Sequence, residues 1–163
     1  MVTMKYIYKV LKKGEWNKYK KGILFIEQNC FKKDEKTYVS VFKEFIDKNP
    51  NAFCTIIKYK KRTIAYMLCC TLEESEVKDR QKGKNNTIYL FSIAVLKKYR
   101  NKGLGRQMME WLSLYVLCVL NYKRITFHTK RDNFRHLCYK LGYRKIKDCV
   151  MEKTKTQYWG KWL

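Results

Sequence analysis

The sequence predicts an α/β fold of the α+β kind, in which helices flank a mixed sheet. The first observation behind this prediction is the order of segments: strand, two helices, hairpin, strand, helix, strand, helix and strand. The second is the hairpin in the middle of the chain, because its two strands must be antiparallel. The chain has 163 residues, of which 46% are hydrophobic, so it is long and apolar enough to bury a core.

The first half of the chain predicts one strand, two helices and the hairpin. Tyr6–Val10 reads as an opening strand. Apolar residues recur at helical spacing in residues 18–31 and again in residues 38–47. Residues 54–59 and 63–69 predict the two strands of the hairpin, with a short basic turn as its tip.

The second half alternates strands with helices. Residues 73–86 are charged, contain a glycine and lack an apolar stripe, so they predict an exposed loop. Residues 87–95 form an apolar run that is typical of a buried strand, and residues 106–120 predict a helix. Residues 124–129 predict a further strand.

The last two elements are a helix and a strand. Asp132 is expected to cap a helix over residues 133–141. Gly142 follows, in the position where a left-handed glycine ends a helix. Residues 143–151 alternate loosely and predict the final strand.

The chain is expected to form a single domain over residues 1–163. Its core would span about residues 6–151. Residues 152–163 would be a C-terminal tail, in which Trp159 and Trp162 dock or bind a partner.

The most informative segment joins the predicted strand 87–95 to the predicted helix 106–120. It reads Arg100-Asn101-Lys102-Gly103-Leu104-Gly105. A turn between a strand and a helix directs backbone N–H groups and the helix N-terminus at one place, which suits a phosphate. Glycines let a ligand approach the main chain closely, and the basic side chains, including that of Arg106, add positive charge. This segment therefore predicts an anion site.

The same segment resembles the acetyl-CoA site of the GNAT N-acetyltransferases. The strand Leu90-Phe91-Ser92-Ile93-Ala94-Val95 is followed by Arg100-x-x-Gly103-x-Gly105. Ile26-Glu27-x-x-Cys30-Phe31 is similar to the first helical region of that family. Leu137-Cys138-Tyr139-Lys140-Leu141-Gly142-Tyr143 is similar to its closing helix. Within the family, the strand is most similar to that of the bacterial enzymes that acetylate ribosomal-protein N-termini.

The resemblance implies a mostly antiparallel sheet with about four helices and a splay between the strands at 87–95 and 124–129. It also implies that acetyl-CoA, or another acyl-CoA, binds here. The pyrophosphate would lie on the loop, the pantetheine arm would pair with the strand before it, and the closing helix would contribute Asn133 or Tyr139. The implied cofactor-binding residues are Ile93, Ala94, Val95, Arg100, Asn101, Lys102, Gly103, Leu104, Gly105, Arg106 and Asn133.

The general base does not follow the family pattern. Members of the family often carry a glutamate on the strand before the loop, but those positions hold Thr87 and Tyr89 here. Glu27, or a glutamate at position 73, 74 or 76, would be a substitute. The alternatives are that these glutamates are solvated surface carboxylates, or that a backbone carbonyl and a water take the proton.

The general acid is also displaced. The family places a tyrosine four residues before the closing glycine, and that position is Cys138, with Tyr139 beside it. Adjacent helical residues point about 100° apart, so only one of the two can face a thioester. Tyr139 is preferred, and Cys138 is the alternative acid or a core residue. His128 and His136 are expected to be structural.

Composition indicates an anionic partner. The chain has 37 Lys and Arg against 14 Asp and Glu, a net charge of +23. Such a charge attracts a phosphorylated cofactor, a nucleic acid, an acidic protein or an anionic membrane surface. The richness in Lys, Asn, Ile and Tyr also fits an AT-rich genome, in which case the charge is only a solvated surface.

The seven cysteines show no C-x-x-C spacing, and with only two histidines a metal site is not expected. Reduced thiols indicate a cytoplasmic protein, or a nuclear one in a eukaryotic cell. No apolar stretch reaches the roughly 20 residues that a membrane span needs, so no membrane association is expected. The protein would be a monomer or a homodimer.

The sequence thus predicts an acyl-CoA-dependent N-acyltransferase. It would transfer acetyl from acetyl-CoA to a primary amine by direct attack in a ternary complex. The amine would be a protein N-terminus, a lysine or a small molecule. The alternative is a basic nucleic-acid-binding protein on a GNAT scaffold, either inactive or acting on an RNA-linked amine.

Overall fold

The computed structural model describes residues 5–12, 14–32, 39–151 and 154–163. These residues form seven strands, four α-helices and one short 3-10 helix. In chain order the elements are β1 (Tyr6–Val10), α1 (Trp16–Cys30), α2 (Val39–Lys48), β2 (Phe53–Tyr59), β3 (Arg62–Thr71), β4 (Thr87–Val95), a 3-10 helix (Lys97–Tyr99), α3 (Leu104–Cys118), β5 (Arg124–Thr129), α4 (Asp132–Lys140), β6 (Arg144–Met151) and β7 (Thr154–Trp162).

The seven strands form one sheet in the order β1-β2-β3-β4-β5-β7-β6. The pairs β1–β2, β2–β3, β5–β7 and β6–β7 are antiparallel, and β4–β5 is parallel. The prediction of a mixed, mostly antiparallel sheet with four helices is therefore confirmed. The parallel register runs from Thr87–Arg124 to Leu90–Phe127, whereas β4 itself continues to Val95. A splay between the two strands is consistent with this short register.

The chain divides into two compact units. Unit 1 lies within residues 1–69 and 92–102. Its apolar core lies between α1, α2 and the strands, and the Trp16 and Phe42 rings stack with centroids 5.6 Å apart. The buried residues of this core are Trp16, Ile23, Ile26, Phe42, Cys54, Ile56, Tyr66, Leu68 and Ala94.

Unit 2 lies within residues 70–91 and 103–163. The α3 helix buries a stripe of side chains four residues apart, as a helix packed on a sheet requires. The ring of Phe127 on β5 packs against Phe134 at 5.2 Å and against Tyr143 at 5.5 Å between centroids. The buried α3 stripe consists of Leu104, Met108, Leu112 and Val116.

The two ends of α4 differ in how well the sequence predicted them. Gly142 has φ +89, and the Tyr143 N–H donates to the Cys138 carbonyl at 3.0 Å, so the prediction of a glycine C′ end is confirmed. Asp132 is not the cap, because the residue before the helix is Arg131. Asp132 lies in the first turn, where a carboxylate still suits the helix dipole.

The predicted C-terminal tail is a strand. Residues 154–162 form β7, which lies between β5 and β6 in the sheet, and Tyr158 is fully buried. Gly160 lies opposite Thr126. A Cβ at Gly160 would come within 2.9 Å of Ile146 Cδ1 and 3.1 Å of Thr126 Cγ2, so the pairing needs a residue without a side chain.

The segment 73–86 is a loop, as predicted, but it is not fully exposed. Val77 is only 8% exposed, and the Asp79 carboxylate is buried against Arg124 of β5. Glu73 Oε1 accepts hydrogen bonds from the N–H groups of Gly83 at 3.1 Å and Asn85 at 2.9 Å. Hydrogen bonds within the loop, together with the Asp79–Arg124 ion pair, therefore hold the loop against the sheet.

Among the described residues, the helices are too short or too polar to cross a lipid bilayer.

Candidate active site

The loop between β4 and α3 has an unusual backbone. After the 3-10 helix, Arg100 is extended, and Asn101 and Gly103 have φ of +58 and +77. A left-handed residue directly before a helix favours glycine, because a Cβ is strained there. The helix then begins at Leu104.

The N-terminus of α3 is open. Gly103 is the N-cap, and in this described part of the chain no side chain caps it and no acidic residue lies in the first turn. Gln107 N–H donates to the Gly103 carbonyl at 3.0 Å, so the N–H groups of the residues between them precede the first helical bond. N–H groups in this position and the dipole of the helix favour a negative charge.

The basic side chains of this segment differ in what they contact. Arg100 Nε donates to the Val95 carbonyl at 2.8 Å, and the same oxygen accepts a bond from Cys30 Sγ at 3.3 Å. Arg106 Nε pairs with Glu110 along the helix at 2.8 Å. Lys102 is exposed. Arg100 therefore fixes the loop to the end of β4, and its guanidinium Nε is occupied by that contact.

Gly105 lies on the side of α3 that faces α4. A Cβ built on Gly105 would lie 3.5 Å from Leu137 Cδ2, which is ordinary van der Waals contact. Asn133, which the sequence predicted to touch the cofactor, is exposed in the first turn of α4.

Glu27 lies in a buried polar chain within unit 1. Its carboxylate is 2% exposed and accepts a hydrogen bond from the Tyr66 hydroxyl, which lies 2.8 Å from Ser92 Oγ on β4. Burial, together with the neighbouring Glu27 charge, raises the pKa of Tyr66 well above its usual value. The alternative that Glu27 is a solvated surface carboxylate is therefore wrong.

A second polar cluster lies in unit 2, where sequence reasoning found none. Tyr89 of β4 and His128 of β5 meet with Oη 3.0 Å from Nδ1, and the His128 ring stacks on Tyr158 at 4.6 Å. Burial, and then the positive charge of Lys147, lower the pKa of His128 to about 4. The imidazole is therefore neutral at pH 7.

The buried ion pair of Asp79 and Arg124 contacts this cluster through Tyr158. The Tyr158 hydroxyl donates to Asp79 Oδ2 at 2.7 Å, and Arg124 holds both carboxylate oxygens at 3.0 and 3.1 Å. Burial opposes ionisation of Asp79, but the Arg124 guanidinium and the other donors outweigh it and lower the pKa to about 2. Tyr158 is thereby fixed beneath His128.

A family model matches most of the chain. The model of the acetyltransferase (GNAT) family matches residues 20–143 of the chain. The chain belongs to the GNAT acetyltransferase family. The match includes β4, the loop, α3 and α4, and it confirms the prediction that the protein is an N-acetyltransferase.

Solved structures share the GNAT fold. The ribosomal-protein-S18-alanine N-acetyltransferase of Escherichia coli has a TM-score of 0.70 at 14% identity, covering 96% of this chain and 91% of that one. Arabidopsis thaliana NAA60, solved in complex with acetyl-CoA, has a TM-score of 0.72 at 12% identity, with 98% and 99% covered. The spermidine/spermine N-acetyltransferase SpeG of Vibrio cholerae has a TM-score of 0.67 at 12% identity, with 96% and 92% covered. No curated protein sequence matches the chain significantly.

The closing helix of this GNAT chain departs from the family pattern. Cys138 is fully buried, and burial raises the pKa of its thiol to about 12, so it is a core residue and a poor proton donor. Tyr139 is 58% exposed, and the Arg144 guanidinium lies 4.5 Å from its ring centroid. The two side chains point in different directions, as their adjacency in a helix predicted.

Proposed function

We propose that this GNAT protein transfers the acetyl group of acetyl-CoA to a primary amine by direct attack in a ternary complex. The proposal rests on one observation in a chain of this family. The N-terminus of α3, which follows β4 and a basic loop, has no side-chain cap and no acidic residue in its first turn. Acetyl-CoA would supply the thioester: the amine nitrogen forms a bond to the thioester carbonyl carbon as the C–S bond breaks and CoA leaves as its thiolate.

The residues of the loop fit the phosphates of this substrate. The N–H groups that precede the first helical bond of α3 face no acidic residue in that turn. Arg100, Asn101 and Lys102 would contribute charge and N–H groups, and Gly103 would let the phosphate approach. The backbone of Ile93, Ala94 and Val95 would pair with the pantetheine arm, and Asn133 would contact it from α4. Arg106 would bind the pyrophosphate only by leaving Glu110.

We assign proton removal from the amine to the pair of Tyr89 and His128. A neutral His128 accepts the Tyr89 hydroxyl proton at Nδ1 while the Tyr89 oxygen accepts the amine proton. A pKa of about 4 makes His128 a weak base, so the transfer accompanies attack rather than preceding it. Glu27 would serve this step through Tyr66 and Ser92, because its carboxylate accepts the Tyr66 hydroxyl, which lies 2.8 Å from Ser92 Oγ.

Tyr139 remains the proposed acid that protonates the leaving thiolate. Its side chain is exposed, whereas the alternative donor, Cys138, is buried and holds its proton strongly. A protein N-terminus or a lysine side chain is an acceptor that is consistent with the family. No particular contact among the described residues favours a second function.

The proposal is tested by titrating the protein with acetyl-CoA in a calorimeter. We expect micromolar binding for the wild type, and a dissociation constant at least about tenfold higher for Gly103→Ala, because a Cβ strains the left-handed backbone at the anion site. Gly83→Ala is the matched control, since Gly83 also has a positive φ, of +87, but lies in the loop 73–86 with open space around it.

Equal losses of affinity in the two variants would assign the effect to general strain. Absence of wild-type binding up to millimolar acetyl-CoA would refute the proposed function. Release of CoA thiol with a panel of peptide N-termini, peptide lysines and polyamines then measures turnover.

A further inference from the structure

The His128 imidazole makes one hydrogen bond within the described part of the chain, with Tyr89 Oη at 3.0 Å from Nδ1. The last side-chain torsion of a histidine is broad and roughly two-fold, so a single hydrogen bond does not fix which ring nitrogen faces its partner. The orientation of the imidazole therefore depends on the rings that pack against it.

Tyr158 provides the larger part of that packing. It lies opposite His128 in the β5–β7 register, and the two rings stack with centroids 4.6 Å apart and planes 23° apart. The Tyr89 ring meets the imidazole edge-on, at 5.8 Å between centroids. Because Tyr158 is fully buried, the imidazole lies against a ring that is itself closely packed.

Asp79 connects the Tyr158 ring to the loop 73–86. The Tyr158 hydroxyl donates to Asp79 Oδ2 at 2.7 Å, and the Gln81 N–H donates to Oδ1 at 2.8 Å. Hydrogen bonds to an ionised carboxylate are shorter and stronger than those between neutral groups. The orientation of a ring on β7 is therefore linked to the backbone of this loop.

Arg124 holds the Asp79 carboxylate in place. Its guanidinium donates to both carboxylate oxygens, at 3.0 and 3.1 Å, and lies 5.4 Å from the ring centroid of Trp162. Two parallel hydrogen bonds fix the plane of the carboxylate as well as its position. The oxygen that accepts the Tyr158 hydroxyl is therefore held in one direction.

The stack also affects the proposed proton transfer. When the Tyr89 hydroxyl proton moves to His128 Nδ1 and the Tyr89 oxygen takes a proton from the amine, the imidazole becomes a cation. An aromatic face attracts a cation, and the Tyr158 ring carries a hydroxyl that is bonded to an anion. Lys147, whose Nζ lies 5.8 Å from the same ring centroid, opposes this effect with its own charge.

We propose that Asp79 is a positioning residue for the base: through the Tyr158 hydroxyl it holds the His128 imidazole with Nδ1 toward Tyr89. This inference rests on the proposed acetyltransferase function, in which Tyr89 and His128 remove the proton from the amine. Asp79 acts through Tyr158 and not on the reacting atoms, and it gives the loop 73–86 a part in catalysis.

The first test measures which ring nitrogen of His128 carries the proton, by nitrogen NMR of isotope-labelled histidine at pH 7. We expect the wild type to show one tautomer, with the proton on Nε2 and Nδ1 as the acceptor. Tyr158→Phe, which keeps the ring and removes the hydroxyl, and Asp79→Asn should each show both tautomers. Tyr122→Phe is the matched control, because it removes a hydroxyl from unit 2 outside this cluster.

The second test measures release of CoA thiol with an amine that the wild type acetylates. We expect Tyr158→Phe and Asp79→Asn to lower kcat by about tenfold to a hundredfold, because a misplaced base slows the chemical step. The KM for acetyl-CoA should change by less than about twofold. Tyr158→Phe is the milder change and carries the test if Asp79→Asn does not fold.

The outcomes separate this inference from the proposed function. An unchanged kcat, or an unchanged single tautomer, in the variants overturns the positioning role of Asp79 even if acetyl transfer depends on His128. Two tautomers in the wild type also overturn it. Failure of acetyl-CoA to bind refutes the proposed function instead, and the NMR measurement then still decides whether Asp79 orients His128.

Discussion

At the scale of single residues, the proposed base is a pair of polar side chains, Tyr89 and His128, and not a carboxylate. The strand before the loop holds Tyr89 where family members often carry a glutamate, and Tyr89 meets His128 across the parallel strands. A tyrosine–histidine pair can move a proton as a carboxylate can, but its protonation in the native state is unfavourable because His128 is buried. The residue that we propose as part of the base would therefore also make the fold sensitive to acid.

The His128 pKa predicts a pH dependence. An unfolded histidine has a pKa of 6.5, whereas that of His128 is about 4 in the folded protein. As the pH falls from about 6.5 to about 4, the unfolded state binds a proton that the native state does not, so this residue's share of stability is progressively lost. Asp79, whose pKa is lowered to about 2, adds a further loss below 3.8.

We expect His128→Gln to flatten the stability curve between about pH 6.5 and pH 4, measured by urea unfolding at several pH values, and to lower kcat by about a hundredfold or more at pH 7. His136→Gln is the matched control, because His136 is exposed on α4. Loss of pH dependence without loss of kcat would show that His128 is only structural.

At the scale of elements, β7 is the strand that completes the sheet. It lies between β5 and β6 and places Tyr158 under His128. This position depends on Gly160, because β7 at that point approaches side chains from both neighbouring strands. The last strand in the sequence is therefore an inner strand that supports the candidate site.

Gly160→Ala should destabilise the protein by about 1–3 kcal/mol, because the new Cβ would overpack against Ile146 and Thr126. Urea unfolding measures this change. Ile146→Val removes the Cδ1 atom that lies 2.9 Å from the new Cβ and should restore part of the stability in the double variant.

The control for this prediction is Gly105→Ala. That Cβ would make an ordinary 3.5 Å contact in α3, so we expect little change or slight stabilisation. Gly105→Ala destabilising the protein as much as Gly160→Ala would contradict the packing argument.

At the scale of the whole molecule, the net charge of +23 is distributed over both units. In unit 1, Lys9, Lys18 and Lys58 lie within 5.6–5.8 Å of the Tyr19 ring centroid. In unit 2, Lys130 and Lys155 are exposed. Exposed lysines attract the phosphates of a polyanion through charge alone, and phosphate contacts carry no sequence information.

We therefore expect any binding to single-stranded RNA to be independent of sequence and to weaken steeply with salt. Fluorescence anisotropy with two unrelated oligonucleotides at several salt concentrations measures this. Tight binding to one sequence that persists at about 500 mM salt would support the nucleic-acid alternative instead.

The sequence by itself determined the order of the elements as far as β6, the bounds of β4 and β5, and the glycine that ends α4. These features depend on local periodicity and on turn chemistry, and residues close together in the sequence determine both. It also carried the resemblance that the family match confirms.

Only the tertiary structure decided that the last residues form an inner strand, that Glu27 is buried under Tyr66, and that Tyr89 meets His128. Each of these facts is a pairing between residues far apart in the chain, with Tyr89 and His128 separated by 39 positions. Such pairings are set by strand order and register, and register depends on how the whole sheet buries its faces rather than on any single segment.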